Sequence, residues 1–324
     1  MYLLELKNVT KSYPVKRMGA SYNLMAVHGV SFSVKAGQCV GLVGESGCGK
    51  STLARLITGL ERPTFGKIIF EGTVVNDSNG AGKKRKRGFI RWMQMVFQNS
   101  YDAVDSRYPA QKIIEEPLSN YFRLSARETD TEISKLLAQV GIADDEREKY
   151  AHQFSGGQLQ RICIARALAS KPKLLVLDEP LSSLDVSVQA QILNLLFDLK
   201  KELGVSYILI SHDLEVVYYL SDVIIIMYGG RIMEQINDIK YFNSMIHPYT
   251  IRLLSSTQAY RKKYENSNGA KLEGISINLG VQKEGYRGCP YSERCSISTE
   301  ICDTKYPDAK EIEPGHFVAC HSIG

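Results

Sequence analysis

Two groups of residues in this chain have the types and spacing for chemistry on a phosphate ester, and a third could hold a metal. The first is the octapeptide GESGCGKS, Gly44 to Ser51, followed by Thr52. Gly44, Gly47 and Gly49 let consecutive backbone N–H groups turn inward on phosphate oxygens, and Glu45, Ser46 and Cys48 complete the loop between them. Lys50 is placed for the β and γ phosphates of a nucleotide, Ser51 offers a hydroxyl to Mg2+, and Thr52 adds a phosphate hydrogen bond. The second group is the acidic pair Asp178 and Glu179 in LLVLDEP. Asp178 suits the Mg2+ side of such a site, and Glu179 can orient or deprotonate a water for in-line attack on a γ-phosphate. An isolated Asp-Glu pair is equally well read as a helix N-cap; beside a phosphate loop that reading weakens. The third group is Cys289, Cys295, Cys302 and Cys320.

These side chains need elements to hold them. The run CVGLV before the glycine loop and STLARLITGL after it supply a strand, a loop and a helix, the context that separates a working phosphate loop from a chance match. KLLVLDE and SYILISHD are continuous apolar runs, each followed by a helical pattern, as buried parallel strands of an α/β layer fold are. Ligands of such sheets bind at the C-terminal strand ends, where Asp178 and Glu179 fall. After Asp185 as N-cap, Val188, Ile192, Leu195, Leu196 and Leu199 recur at helical spacing until Gly204 stops the helix. YLLELKNVTKSY and GVSFSVKAGQCVGLVG read as strands of a small sheet, and residues 101–169 lack strand runs and read as helical. Residues 257–287 turn polar and glycine-containing, a linker pattern that leaves 288–324 as a small appended Cys-rich module. No internal repeat marks a solenoid.

With 324 residues, 44% hydrophobic and 23% charged, the composition is that of an ordered chain with one large domain and room for a smaller one. The net charge of +5 is mild and owes much to KKRKR, Lys83 to Arg87, which a solvated loop explains as well as any polyanion would; no nucleic-acid partner is expected. The N-terminus lacks the pattern of a secretion signal, and no apolar run approaches the roughly 18 residues that span a bilayer. A cytosolic chain is the expectation. A disulfide framework is then disfavoured, and Cys39, Cys48 and Cys163, in apolar or glycine-rich surroundings, read as small buried side chains.

Between the two phosphate motifs stands FSGGQLQR, Phe154 to Arg161. A hydroxyl and flexible glycine amides at the start of a helix make a second anion cradle. With this segment the chain resembles the ATP-binding subunits of ABC transporters, whose signature is usually LSGGQ; Phe154 replaces the leucine and leaves Ser155, Gly156, Gly157 and Gln158 in place. The resemblance implies a P-loop ABC ATPase domain over 1–256, with a parallel-sheet core, an antiparallel β-subdomain and a helical subdomain over about 101–169. It implies ATP and Mg2+, with each ATP held between the P-loop of one subunit and the signature of another. Gln98 in MVFQNS then looks like the Q-loop glutamine at Mg2+ or the attacking water, and Asp185 in SSLD like part of the D-loop that crosses the dimer. His212 in ISHD looks like the switch histidine, although a strand-end histidine by itself is more often structural. Tyr13 looks like the aromatic that stacks on adenine.

GLERPTFGKIIFEG, HPYTIRLL and the tail GCPYSERCSISTEICDTKYPD are similar to the peptide and nickel importer branch of that family. What this implies is a motor subunit peripheral to the cytoplasmic face of the cell membrane. It would pair with a second ATPase, a heterodimer being favoured over a homodimer, and drive two permease subunits served indirectly by an extracellular substrate-binding protein. Cargo would be an oligopeptide, a dipeptide, nickel or a metallophore. FQNSYDAVDSRYP departs from the branch's usual Asp-Pro and SLNPR, and AVDSR is nearer the nickel or metallophore members. A soluble ABC ATPase acting on ribosomes or nucleic acid is the alternative; such relatives usually carry two ATPase halves or a long coiled-coil insert. The four tail cysteines supply the thiolates an iron-sulfur cluster needs, and members of this branch carry a [4Fe-4S] cluster there, which assigns Cys289, Cys295, Cys302 and Cys320 to one. Their separations are wider than C-x2-C zinc pairs; zinc, free thiols and disulfides stay open, with His316 and His321 as alternative ligands.

Overall fold

Along each buried strand of the main sheet, alternate residues face two different apolar layers. The computed structural model describes residues 1–17, 20–79, 86–255, 282–283 and 286–323. Strands β3 (Cys39–Val43), β6 (Met93–Val96), β7 (Leu174–Asp178), β8 (Ser206–Ser211) and β9 (Val223–Tyr228) run parallel in the order β9-β3-β8-β7-β6. All residues of β3, β7, β8 and β9 are buried, which is why they read as unbroken apolar runs. Val40, Leu42, Val176, Ile208 and Ile225 face one layer, while Val43, Leu175, Leu177, Leu209 and Ile224 face the other.

The first layer packs helix α1 (Lys50–Ile57) and a second, antiparallel sheet against the core. That sheet holds β1 (Leu4–Arg17), β2 (Ala20–Val34), β4 (Phe65–Phe70), β5 (Thr73–Asp77) and the two-residue β11 (Gln282–Lys283), in the order β11-β2-β1-β4-β5. A short helix α2 (Lys86–Ile90) leads into β6. The opposite layer receives α3 (Ala110–Tyr121), α4 (Ala126–Gln139), α5 (Gly156–Ala169), α6 (Val186–Leu203) and α7 (Leu214–Leu220). The helical expectation for 101–169 corresponds to α3, α4 and α5, and α4 opens with a Ser125–Glu128 capping box. Helix α6 starts after Asp185 and ends at Gly204, whose φ of 64° is the left-handed stop read from the sequence.

The far edge of the main sheet differs from expectation. After β10 (Arg231–Ile236) and α8 (Pro248–Ser255) the chain reaches α9 (Glu300–Thr304), β12 (Lys310–Glu313) and β13 (His316–Val318). Strand β13 pairs antiparallel with β10, Glu234 opposite Val318 and Ile236 opposite His316, and β12 closes the edge. Cys289, Tyr291 and Cys302 belong to the same buried layer as α5 and β7. Residues 286–323 therefore extend the sheet and its core and do not stand apart as a separate Cys-rich module; three-residue β13 cannot form a stable sheet alone and completes itself on β10. Most of the expected 257–287 linker, and Lys83 to Arg85 of the basic run, lie outside the described residues. Among the described residues no helix is long and apolar enough to cross a membrane.

Candidate active site

The glycine loop between β3 and α1 follows a path closed to larger residues. Gly47 has φ 80° and Gly49 φ 105°, and a Cβ on Gly49 would lie 2.1 Å from the Ala26 carbonyl oxygen. At Gly44 it would lie 2.2 Å from the Met227 carbonyl oxygen. Neighbouring elements brace the loop: Gly230 N donates to the Cys48 carbonyl at 3.0 Å, and Glu45 N donates to the Tyr249 hydroxyl at 2.8 Å. Lys50 is buried, its Nζ donating to the carbonyls of Gly44 at 2.6 Å and Glu45 at 3.0 Å, which holds the ammonium inside the loop. Burial raises the Cys48 thiol, so this cysteine packs as the small side chain expected of it. Thr52 follows, buried in α1.

Asp178 closes β7 opposite the loop. Ser51 Oγ donates to Asp178 Oδ1 at 3.0 Å, which pairs two hard oxygen donors of the kind Mg2+ takes. Burial, reinforced by the Glu179 charge, holds the Asp178 carboxyl above its ordinary range, and the Ser51 bond opposes that. A cation there would favour the ionised form.

Glu179 has φ 46°, a left-handed conformation that costs a non-glycine residue about 1–2 kcal/mol. Its carboxylate Oε2 accepts from Gln98 Nε2 at 3.3 Å and lies 3.3 Å from His212 Nδ1. Gln98 Nε2 also donates to Ser182 Oγ at 3.2 Å. Gly44, Glu45, Ser46, Gln98, Glu179 and His212 line one cleft. Backbone strain is thus retained at a carboxylate that two polar side chains contact in a cleft next to a phosphate loop, an arrangement able to orient a water.

The other expected residues stand elsewhere. Ser155 caps α5, its Oγ accepting from Gln158 N at 3.3 Å while Ser155 N donates to Gln158 Oε1 at 3.0 Å. Gly157 is required by packing, since a Cβ would lie 2.3 Å from Val188 Cγ1. None of Ser155, Gly156, Gly157, Gln158 and Asp185 lines the cleft. Tyr13 lies on β1, its hydroxyl donating to the Glu61 carboxylate and Lys11 Nζ 4.9 Å from its ring centre; it too is outside the cleft lining.

The family profile described as "ABC transporter" matches residues 27–182, and the one described as "Oligopeptide/dipeptide transporter, C-terminal region" matches residues 233–302. The chain is 40% identical to the oligopeptide transport ATP-binding protein AppF of Bacillus subtilis, over 98% of this chain and 97% of that one. It is 42% identical to the probable peptide ABC transporter ATP-binding protein y4tS of Sinorhizobium fredii, over 98% and 89%. The chain belongs to the ATP-binding subunits of ABC transporters, in the oligopeptide/dipeptide branch. Among solved structures, the ATP-binding cassette MJ0796 in a dimeric post-hydrolysis state bound to ADP and Pi superposes with a TM-score of 0.64 at 28% identity, covering 72% of this chain and 97% of that one. CbiO1 from Clostridium perfringens gives 0.64 at 26%, covering 82% and 99%. The fold is thus the P-loop ABC ATPase fold, with its mixed parallel and antiparallel sheets and its helical part.

In this ATP-binding subunit the tail cysteines are not assembled as ligands. Among the described residues no group of three or more His, Cys, Asp or Glu side chains is placed to hold a metal ion, which overturns the [4Fe-4S] cluster expected on Cys289, Cys295, Cys302 and Cys320. Burial pushes the Cys289 thiol up to about 11 and raises those of Cys295 and Cys320, and Cys302 Sγ lies 3.4 Å from Thr299 Oγ1. Packed in this way, such thiols behave as small apolar groups. All seven cysteines are free, which also removes the disulfide alternative. His316 Nε2 lies 2.8 Å from Glu234 Oε1 and His321 Nε2 lies 2.9 Å from the Lys305 carbonyl oxygen, so both histidines have other work. Main-chain bonding ties the segment together, with Cys289 N donating to the Cys302 carbonyl at 2.6 Å.

Two residues around the ATP-binding subunit's phosphate loop escaped the sequence reading, Tyr249 and Arg294, while Ser182, read there as the start of the SSLD motif, was not expected to meet Gln98. Tyr249 stood in HPYTIRLL, so a local signal existed for it. Arg294 lay between two cysteines whose spacing drew the attention, and its partner is Glu45.

Proposed function

We propose that this chain is the ATP-hydrolysing motor subunit of a peptide importer. The observation that carries the reading is the convergence of Gln98, Glu179 and His212 on one cleft beside Lys50, Ser51 and Asp178. Lys50 and the loop amides bind the phosphates, and Glu179, oriented by Gln98 and His212, positions and accepts the proton of the attacking water. Ser51 and Asp178, with Gln98, would hold Mg2+, which would supply charge neutralisation at the phosphate oxygens. Tyr13 receives the adenine.

Ser155, Gly156, Gly157, Gln158 and Asp185 are assigned to the nucleotide of a second ATPase subunit, with a heterodimer favoured. Two permease subunits receive the movement, an extracellular binding protein supplies cargo, and the chain sits peripherally on the cytoplasmic face of the membrane. Residues 1–256 carry the nucleotide chemistry; 257–287 connect them to the segment 288–324. The peptide names of the relatives favour peptide cargo over nickel or a metallophore.

Coexpression with the permease and a second ATPase, followed by reconstitution in liposomes, tests this. ATP hydrolysis should rise when peptide-loaded binding protein is added. Recovery of the chain with ribosomes or DNA in place of the membrane complex, or hydrolysis that ignores the loaded binding protein, sinks the transport reading.

A further inference from the structure

Arg294 belongs to the cysteine-bearing segment, yet its guanidinium reaches the phosphate loop. Nη1 donates to Glu45 Oε2 at 2.9 Å and Nη2 to Glu45 Oε1 at 3.2 Å, the forked geometry that makes arginine–carboxylate pairs both directional and strong. Nη1 also donates to the Tyr228 hydroxyl at 3.0 Å. The arginine lies against a cluster of tyrosines: Tyr291 meets Tyr228 edge-on at 5.3 Å and Tyr249 at a tilt, also at 5.3 Å. Tyr249 accepts from Glu45 N at 2.8 Å, so the same loop residue is gripped at its amide by α8 and at its carboxylate by the C-terminal segment. The Glu45 bonds push Arg294 further above its ordinary value.

Glu45 is the second residue of the loop and lines the cleft. A carboxylate at that position opposes the arrival of a triphosphate unless its charge is cancelled; the Arg294 side chain is 21% exposed and that of Glu45 37%, so water screens the pair in part. We propose that Arg294 is a positioning residue of the nucleotide site: by pairing with Glu45 it cancels a negative charge beside the phosphates and fixes the entry of the loop, so that ATP affinity depends on the C-terminal segment. This rests on the ATPase reading above.

The test is MgATP binding by calorimetry and hydrolysis kinetics on the full chain. Arg294→Ala should weaken MgATP binding about tenfold, with a smaller change in kcat and a loss that shrinks at high salt. Adding Glu45→Gln to that variant should restore affinity to within about twofold of the unmodified chain, because the unpaired charge is gone. A purely structural role for Arg294 would not be rescued by that second change. Arg294→Lys, which keeps the charge and loses the fork, should fall between, at about threefold, and carries the test should Arg294→Ala fail to fold. Unchanged MgATP affinity in Arg294→Ala and Arg294→Lys, or a double variant as weak as Arg294→Ala, overturns the proposal while leaving the ATPase standing. An unmodified chain that neither binds nor hydrolyses MgATP overturns both.

Discussion

The glycine loop and the Ser155 loop both lead into helix N-termini, yet they are finished to different degrees. Around the glycine loop, partners arrive from β7, the end of β8, α8 and the segment after Cys289, and Glu45, Gln98, Glu179 and His212 line one cleft. Around Ser155 the hydrogen bonds are local, a capping box closed within α5, and the hydroxyl is presented at an exposed position. A half-site closed within one chain and an outward-facing one beside it fit the proposal that the nucleotide chemistry is divided between two ATPase subunits. On that proposal one chain suffices to bind and two are needed to turn over.

Substitutions can break that contrast. Lys50→Ala should remove MgATP binding by the single chain and hydrolysis by the assembled complex together, each by roughly a hundredfold or more. Glu179→Gln should keep binding and lower hydrolysis by roughly a hundred- to a thousandfold, with size-exclusion chromatography showing an ATP-trapped dimer. Undiminished turnover would remove Glu179 from its role. Ser155→Ala should leave single-chain affinity within about twofold while lowering hydrolysis by the complex about tenfold. If it weakens single-chain binding as Lys50→Ala does, the division between the two loops is wrong. The lost cap itself should cost about 1 kcal/mol of stability, read from thermal melts.

A last effect concerns acid and stability, not turnover. Burial holds His247 down at about 4 against 6.5 in the unfolded chain, so between those values the unfolded chain binds the proton first and stability falls as pH falls, by about 1.4 kcal/mol per pH unit. Tyr249 N donates to His247 Nδ1 at 3.1 Å, which places the loss directly behind the glycine loop. Melting temperature should drop between pH 7 and pH 5, and His247→Gln should flatten that slope. A slope equal in the two proteins would show that His247 carries none of it.

Much of the nucleotide site was legible because its chemistry demands residue types at fixed spacing. Gly44, Gly49, Lys50, Asp178 and Glu179 each occupy a position for which few substitutes exist. Strands β3, β7 and β8 were legible for a related reason, since burial on both faces leaves only continuous apolar runs. The segment after Cys289 was misread because cysteine count and spacing say nothing about where the Sγ atoms point. There a cluster was expected, and the structure uses backbone bonding and tyrosine packing. The Arg294–Glu45 pair was out of reach for another reason: its partners lie near opposite ends of the chain, and neither residue type is unusual where it stands.

Synthesis runs from the N-terminus, and that gives the pairing of β13 with β10 a consequence in time. While the ribosome is still making the segment between Ile236 and His316, β10 presents an open hydrogen-bonding edge beside a finished parallel sheet. Such an edge invites pairing with any extended chain nearby. Closure waits for His316 to Val318 to emerge. Strand β12, with exposed Lys310 and Glu311 and the carboxylate of Glu313, then becomes the new border, and its charges discourage further strands from joining. A message truncated shortly before His316 would encode every nucleotide-binding motif and still yield a protein with an unguarded seam.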